Sequence, residues 1–167
     1  MKYLTLFITL IMFIPACQSQ IPPMKKITKG DMTVAWKIEN EHLYITMNAP
    51  TKGWVAIGLN TMEQLQGTNL IMAAIKEGMI NLSDRYILAP GDHKSISDLG
   101  GTNATVLISG VENDAGTQVE FMLPLKASDK FHVELQPGRH YFLLLAYSQE
   151  DDFSHHSMMR TTVEIEL

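Results

Sequence analysis

Apolar and polar residues alternate with a period of two along much of the chain after residue 30. The segments 33–38 and 43–47 each place an apolar side chain at every second position, with a polar turn at 39–41 between them. Successive side chains of a strand point to opposite faces of its sheet, so this alternation predicts half-buried β-strands. The segment 53–59 is almost continuously apolar, which predicts a central strand that is covered on both faces.

Further strand-like segments follow, with turn residues between them. They are 69–76 and 79–86, joined as a hairpin at Glu77-Gly78, and then 105–109, 119–123, 140–147 and 161–167. Residues 89–102 are rich in Gly and Pro and are predicted to form a long loop. No stretch keeps a helical period over the length of a helix, although 62–65 is long enough for one helical turn. The chain is therefore predicted to be all-β, an antiparallel, immunoglobulin-like β-sandwich of about nine to ten strands.

The amino-terminal residues carry a different pattern. A continuous apolar run at 4–14 follows a short positive start and is too short to span a bilayer comfortably. Ala16 and Cys17, the only cysteine of the chain, follow this run in an arrangement that resembles the lipobox of bacterial lipoproteins. The resemblance implies a signal peptide at 1–16 and a lipid on the Cys17 thiol. The alternative is an ordinary secretory signal with an incidental cysteine.

The rest of the chain divides into a tether and a folded part. The segment 17–30 contains prolines and lysines without a sustained period, and we interpret it as a lipidated tether. The folded domain is then expected at 31–167, since one domain is the default for a chain of 167 residues. An anchor of two or more acyl chains would hold the protein stably on a membrane. The expected location is the bacterial cell envelope, with the domain periplasmic or on the cell surface.

Charge and motif content exclude several classes of function. The net charge is −5 and no basic run is present, which argues against nucleic-acid binding. The chain contains no G-x-S-x-G, phosphate-binding glycine or H-E-x-x-H motif. The carboxylate pair Asp151-Asp152 is interpreted as a solvated turn. The sequence therefore favours a binding protein over an enzyme.

The residues just before the last strand bring histidine and methionine together. They are His155, His156, Met158 and Met159. Imidazole and thioether groups are the side chains that ligate haem iron in many cytochromes. Adjacent histidines in a strand point to opposite faces and make a poor anchor for zinc, whereas in a loop they could chelate.

Seven short motifs occur in an order and spacing that resemble one known family, the DOMON domains, across essentially the whole mature chain. The motifs are Gly53-Trp-Val-Ala-Ile-Gly-Leu59, Gly67-Thr-Asn69, Asp84-Arg-Tyr86, Phe121-Met-Leu-Pro-Leu125 with Ser128-Asp129, Pro137-Gly138, Leu144-Leu-Ala-Tyr147 and His156-Ser-Met-Met-Arg160. The resemblance implies an extracytoplasmic β-sandwich of roughly ten strands. It also implies a binding role: some members bind b-type haem and pass electrons, whereas others bind sugars or other small ligands.

In the haem-binding members the iron lies between a Met and a His at one end of the sandwich. The His precedes the last strand, and its position matches His156 of this chain. The Met lies two residues before the glycine of the second motif, where this chain has Leu65. Met62 is the nearest sulfur on the same loop, and it would share a face with Leu65 if 62–65 formed a turn of helix. The family's acidic residue after that glycine is replaced by Asn69.

The resemblance therefore implies a haem b site with His156 and Met62 as iron ligands. Arg160 is expected to meet a haem propionate, and Trp54 and Leu65 to line the pocket. The resulting hypothesis is a lipid-anchored electron-transfer or redox-sensing module with a redox partner protein. A non-redox module that binds a sugar or other small ligand is the first alternative, and a structural or partner-binding lipoprotein is the second. The remaining His155, Met158 and Met159 are interpreted as ordinary packing residues.

Overall fold

A computed structural model describes residues 23–167, which form eleven antiparallel strands in two sheets. The strands are β1 (Lys25–Lys29), β2 (Met32–Glu39), β3 (His42–Ala49), β4 (Val55–Asn60), β5 (Asn69–Lys76), β6 (Met79–Ala89), β7 (Asp92–Ser95), β8 (Val106–Asn113), β9 (Gly116–Pro124), β10 (His140–Tyr147) and β11 (Met159–Glu166). One sheet has the order β1-β2-β3-β9-β8 and the other the order β11-β10-β4-β5-β6-β7. The predicted all-β sandwich is confirmed. Within these residues no helix is long and apolar enough to cross a membrane. The predicted signal peptide and Cys17 lie outside the described residues.

Two strands were not expected from the sequence, and both lie at sheet edges. The first strand, β1, falls inside the segment predicted to be a tether, so the folded part begins at Lys25 rather than at residue 31. Its sequence offers only Ile27 as an apolar residue, too little for an alternation to be visible. The four-residue β7 falls inside the predicted loop 89–102 and pairs only with β6. Edge strands have one free side, so main-chain pairing forms them without a hydrophobic pattern.

The turn of helix considered for 62–65 does not form. The side chain of Asn60 organises this loop instead: its Oδ1 accepts a hydrogen bond from the Met62 amide at 3.1 Å, and its Nδ2 donates to the Gln64 carbonyl oxygen at 3.1 Å. Asn competes with helical hydrogen bonding by bonding to nearby main chain in this way. Met62 and Leu65 therefore do not share a helical face.

The main core lies between the two sheets and follows the predicted alternation. One buried cluster there combines side chains of both sheets. The five-stranded sheet contributes Phe121, Ile45 and Met47, and the six-stranded sheet contributes Ile57, Ile71 and Leu145. The three central strands of the six-stranded sheet, β10, β4 and β5, are also apolar on their outer face. A second buried cluster forms on that outer face, and it includes Trp54, Ala56, Leu70, Met72, Leu144 and Ala146.

A buried group of polar side chains ties β6 to two loops. The Nε2 of His132 lies 3.1 Å from Asp84 Oδ2, and its Nδ1 lies 2.8 Å from Asp129 Oδ1. Asp129 also accepts hydrogen bonds from the amides of Thr102 and Phe131, which lower the pKa of its carboxyl although its desolvation acts in the opposite direction. The carboxylates and the imidazole of this group thus find hydrogen-bonding partners within the fold, as buried polar groups require.

Gly53 sets the position of the segment that follows β10. A Cβ at Gly53 would lie 2.6 Å from the Ser148 carbonyl oxygen and even closer to the backbone of Gln149 and Glu150. The amide of Trp54 donates to the Glu150 carbonyl oxygen at 3.0 Å, and the Ser148 amide donates to the Trp54 carbonyl oxygen at 2.9 Å. Only glycine permits this close approach of two backbones.

We expect Gly53→Ala to lower the free energy of unfolding by about 1–3 kcal/mol, because an added methyl group must push one backbone away. Thermal unfolding followed by circular dichroism measures this change. Lys52→Ala is the matched control, since Lys52 makes only an exposed ion pair with Asp114 and such pairs contribute about 0–1 kcal/mol. Equal melting temperatures for Gly53→Ala and the parent chain would contradict the assigned close approach.

Candidate functional site

The outer face of the six-stranded sheet carries a cavity of about 120 Å³. Its floor is apolar and comes from β4, β5 and β10, with Trp54, Ala56, Leu70, Met72, Leu144 and Ala146. Its rim is polar and comes from β7, β11 and the segment 153–158, with His93, Arg160, Ser154, His155, His156 and Ser157. An apolar chamber with a few polar groups at its edge is the usual form of a small-molecule site.

The register of the strands explains why the floor is open. Met72 of β5 lies opposite Ala56 of β4, Ala56 lies opposite Ala146 of β10, and Ala146 lies opposite Arg160 of β11. These four residues form one row on the outer face, with about 4.8 Å between neighbouring strands. The two alanines fill little space between Met72 and Arg160, and all four residues line the cavity.

His156 has the only imidazole without a polar partner among residues 23–167, which include all six histidines of the chain. Each of the other five rings lies against a polar group: His42 against Asn40, His93 against Arg85, His132 against Asp84 and Asp129, His140 against Glu164, and His155 against Asp152. The His156 backbone is held, because its carbonyl oxygen accepts a hydrogen bond from the Ser148 hydroxyl at 3.1 Å. A fixed backbone with a free ring leaves the His156 nitrogens available to a ligand or an iron atom.

His93 lines the same cavity but has a different capacity. The Arg85 Nε lies 2.8 Å from His93 Nδ1. A guanidinium can only donate, so Nδ1 must accept and the neutral ring carries its proton on Nε2. Burial lowers the pKa of His93, and the positive charge of Arg85 lowers it further, while Asp92 acts in the opposite direction. His93 is therefore a neutral ring that donates a hydrogen bond and is not free to bind a metal.

Two further features favour a ligand that carries hydrogen-bond acceptors. The Nε1 of Trp54 is buried and has no hydrogen-bond partner, although Trp54 is only 4% exposed and lines the cavity. Buried indole N–H groups usually find a partner, and this donor has none among residues 23–167. Among residues 23–167 no Asp or Glu lines the cavity, in a chain of net charge −5. A carboxylate on a ligand would thus meet donors and no like charge.

The structure brings together four of the five site residues that the sequence and the family resemblance suggested. His156, Arg160, Trp54 and Leu65 all line this one cavity. Met62 is not among its lining residues, and its side chain is 55% exposed.

The departure from the family pattern at Asn69 does not concern the cavity. Asn69 is buried elsewhere, and its Nδ2 donates to Asp84 Oδ1 at 2.7 Å. Met72 and His93 were missed by the sequence reasoning. A continuous apolar run conceals which face Met72 occupies, and His93 lies on the unexpected β7.

The fold and the cavity together define a two-sheet β-sandwich domain with a largely apolar cavity on the outside of one sheet. The family model of the DOMON domain matches residues 28–148, and the chain belongs to this family.

Among solved structures it is similar to the cytochrome b domain of pyranose dehydrogenase from Coprinopsis cinerea, with a TM-score of 0.65 and 7% identity over 86% of this chain and 81% of that one. It is also similar to the cytochrome domain of cellobiose dehydrogenase from Myriococcum thermophilum, with a TM-score of 0.61 and 11% identity over the same shares of the two chains. At these identities the likeness shows the fold. MOXD1 homolog 2 of Drosophila melanogaster is 26% identical over 102 residues, which are 61% of this chain and 13% of that protein.

We expect Arg85→Met to raise the pKa of His93 towards its ordinary value of 6.5, because one of the two causes of its lowering is removed. In the parent chain the pKa of His93 is lower in the folded state than in the unfolded state, so just below pH 6.5 the unfolded state binds more protons than the folded state. His93 therefore lowers the free energy of unfolding as the pH falls below 6.5. The variant should lose part of this slope. Titration of the imidazole carbons by NMR measures the pKa, with Lys94→Met as a control for loss of an exposed charge. An unchanged His93 pKa in Arg85→Met would refute the proposed pairing.

Proposed function

We propose that this chain is a lipid-anchored, extracytoplasmic binding module without enzymatic activity. In this proposal it holds haem b in the outer-face cavity and serves electron transfer or redox sensing with a partner protein. The observation that carries the proposal is the unpartnered His156 imidazole beside an apolar floor that contains the Met72 thioether. The similarity of the fold to two cytochrome domains supports it.

The residues of the cavity fit a haem in their chemistry. The apolar floor suits a macrocycle, and His156 offers a nitrogen for the iron. Arg160, the His93 Nε2–H and the Trp54 Nε1–H are donors for carboxylates such as the two propionates. When bound, haem would supply a one-electron couple between ferric and ferrous iron. Neutral imidazole and thioether ligands compensate little of the iron's charge, and thioether ligation raises the reduction potential.

The size of the cavity sets a condition on haem binding. Its volume of about 120 Å³ is below the ~300–1,000 Å³ that encloses a typical drug-sized ligand. A haem must therefore displace the covering segment 153–157. This segment is held by few contacts, including the Ser148 hydroxyl on the His156 carbonyl and the Asp152 carboxylate on the Ser154 amide. Its displacement would break these hydrogen bonds and the packing of Phe153 on the apolar floor, so burial of the macrocycle must outweigh that loss.

The same volume favours a second candidate function, the binding of a sugar or other small ligand without redox chemistry. A small molecule would need less displacement of the covering segment. The Trp54 ring and its unpartnered N–H could serve a sugar ring and its oxygen atoms. This candidate function needs no metal ligand, so it does not require a nitrogen of His156 to bind iron.

We expect the purified chain to show a Soret band after reconstitution with haem, and His156→Ala to weaken haem binding by at least tenfold. Titration of apo-protein with haem, followed by absorbance, measures both. His140→Ala is the matched control, because His140 is exposed, lies against Glu164 and is not among the residues that line the cavity. A parent chain without a Soret band would reject haem binding, and equal loss in the two variants would reject the role of His156.

The second candidate predicts a different set of results. Calorimetry with simple sugars should show binding that occurs without haem and that Trp54→Ala abolishes. A chain that binds haem through His156 and releases heat with none of the sugars would contradict it.

The anchor proposal rests on the sequence around Cys17 and predicts where the full-length chain goes. In a bacterial host that processes lipoproteins, the chain should fractionate with membranes and partition into detergent. Cys17→Ser should appear in the soluble extracytoplasmic fraction, because the thiol that accepts the lipid is lost. A parent chain recovered entirely in the soluble fraction would contradict lipidation.

A further inference from the structure

The chain needs a sulfur donor if its haem is to have a Met–His ligand pair, and the expected loop position holds Leu65. Met62, the nearest sulfur on that loop, is 55% exposed and does not line the cavity. The Asn60 side chain fixes the backbone at Met62 and Gln64, so the loop cannot easily rearrange to bring this sulfur inward. The loop therefore supplies no thioether to the cavity.

One methionine does lie in the cavity floor. Met72 of β5 is 2% exposed, belongs to the outer cluster rather than the core between the sheets, and lines the cavity. It is the only methionine among residues 23–167 that does so. Buried methionines usually fill gaps in a core. Here the neighbouring positions of the row, on β4 and β10, hold the small residues Ala56 and Ala146, which line the same cavity as Met72.

The other polar groups of the cavity cannot take the place of this sulfur. The His93 ring uses Nδ1 to accept from Arg85 and keeps its proton on Nε2. His155 lies against Asp152 at 3.7 Å, and Arg160 always carries a proton on each nitrogen. The Nε2 of His155 and the ring of His156 offer nitrogen lone pairs from the covering segment, whereas Met72 in the floor offers the only thioether among the residues of 23–167 that line the cavity.

We propose that the Met72 thioether is the second iron ligand of this site, together with His156, so that the sulfur comes from a central strand instead of the loop after β4. This inference rests on the proposed haem function. It follows from the row of Met72, Ala56, Ala146 and Arg160 across four strands. In this row Met72 offers the ligand sulfur at one end, Arg160 offers a partner for a propionate at the other end, and the two alanines lie between them.

The test compares two Met→Leu variants that differ only in position. The parent chain, Met72→Leu and Met62→Leu are reconstituted with haem, and the near-infrared charge-transfer band of thioether-bound ferric haem is recorded with the reduction potential. We expect Met72→Leu to keep its Soret band, to lose the near-infrared band and to shift to a lower potential. Met62→Leu should match the parent in all three, and unfolding curves check that each variant is folded.

Met72→His gives a second readout, which depends on the gain of a new spectrum and not on the loss of the near-infrared band. If residue 72 reaches the iron, this variant should show the spectrum of haem with two imidazole ligands. A near-infrared band that survives Met72→Leu, or is lost in Met62→Leu, would overturn the inference. So would a parent chain that binds haem without that band, in which case haem binding itself would stand. A parent chain with no Soret band would instead overturn both proposals.

Discussion

Three central strands of the six-stranded sheet are apolar on both faces, so other parts of the molecule must cover each of these faces. The inner face of β10, β4 and β5 packs against the five-stranded sheet and forms the main core. Within residues 23–167 no further sheet covers the outer face. Leu65 and Phe153, from two separate loops, pack against it instead. Burial of apolar surface contributes roughly 25 cal/mol per Å², so these two partly buried side chains make covering the face favourable, but the two loops leave a cavity between them.

The histidines show how local bonding assigns different roles to one residue type. His132 is buried between Asp84 and Asp129 and serves the fold. His93 is held by Arg85 in the tautomer that donates from Nε2. His156 has a fixed backbone and an uncommitted ring. The chemistry available to each ring follows from its partners and not from its distance to the cavity, because His93 and His156 both line it.

The fold was largely predictable from the sequence, because the alternation of apolar and polar residues in β2, β3 and β9 indicates which side chains face the core. The edge strands β1 and β7 were not, since they carry too few apolar residues for a pattern. The cavity itself was hidden for the opposite reason. In a run such as β5 every residue except the last is buried, so the sequence cannot say which side chains face the second sheet and which face a loop-covered chamber. Four site residues were found through the family motifs, whereas Met72 needed the register of β5 against β4.

The two proposed iron ligands would differ in mechanical character, which affects how binding and redox properties are set. Met72 lies in the middle of a strand paired on both sides, with Ala56 and Ser83 opposite it, so its backbone cannot move without breaking the sheet. His156 belongs to the segment that a haem must displace, and its carbonyl is tied to Ser148 by a single hydrogen bond. Ordering such a segment around a ligand costs conformational entropy, and that cost reduces affinity. The affinity for haem would thus depend mainly on the covering segment, whereas the thioether that raises the potential is fixed by the sheet.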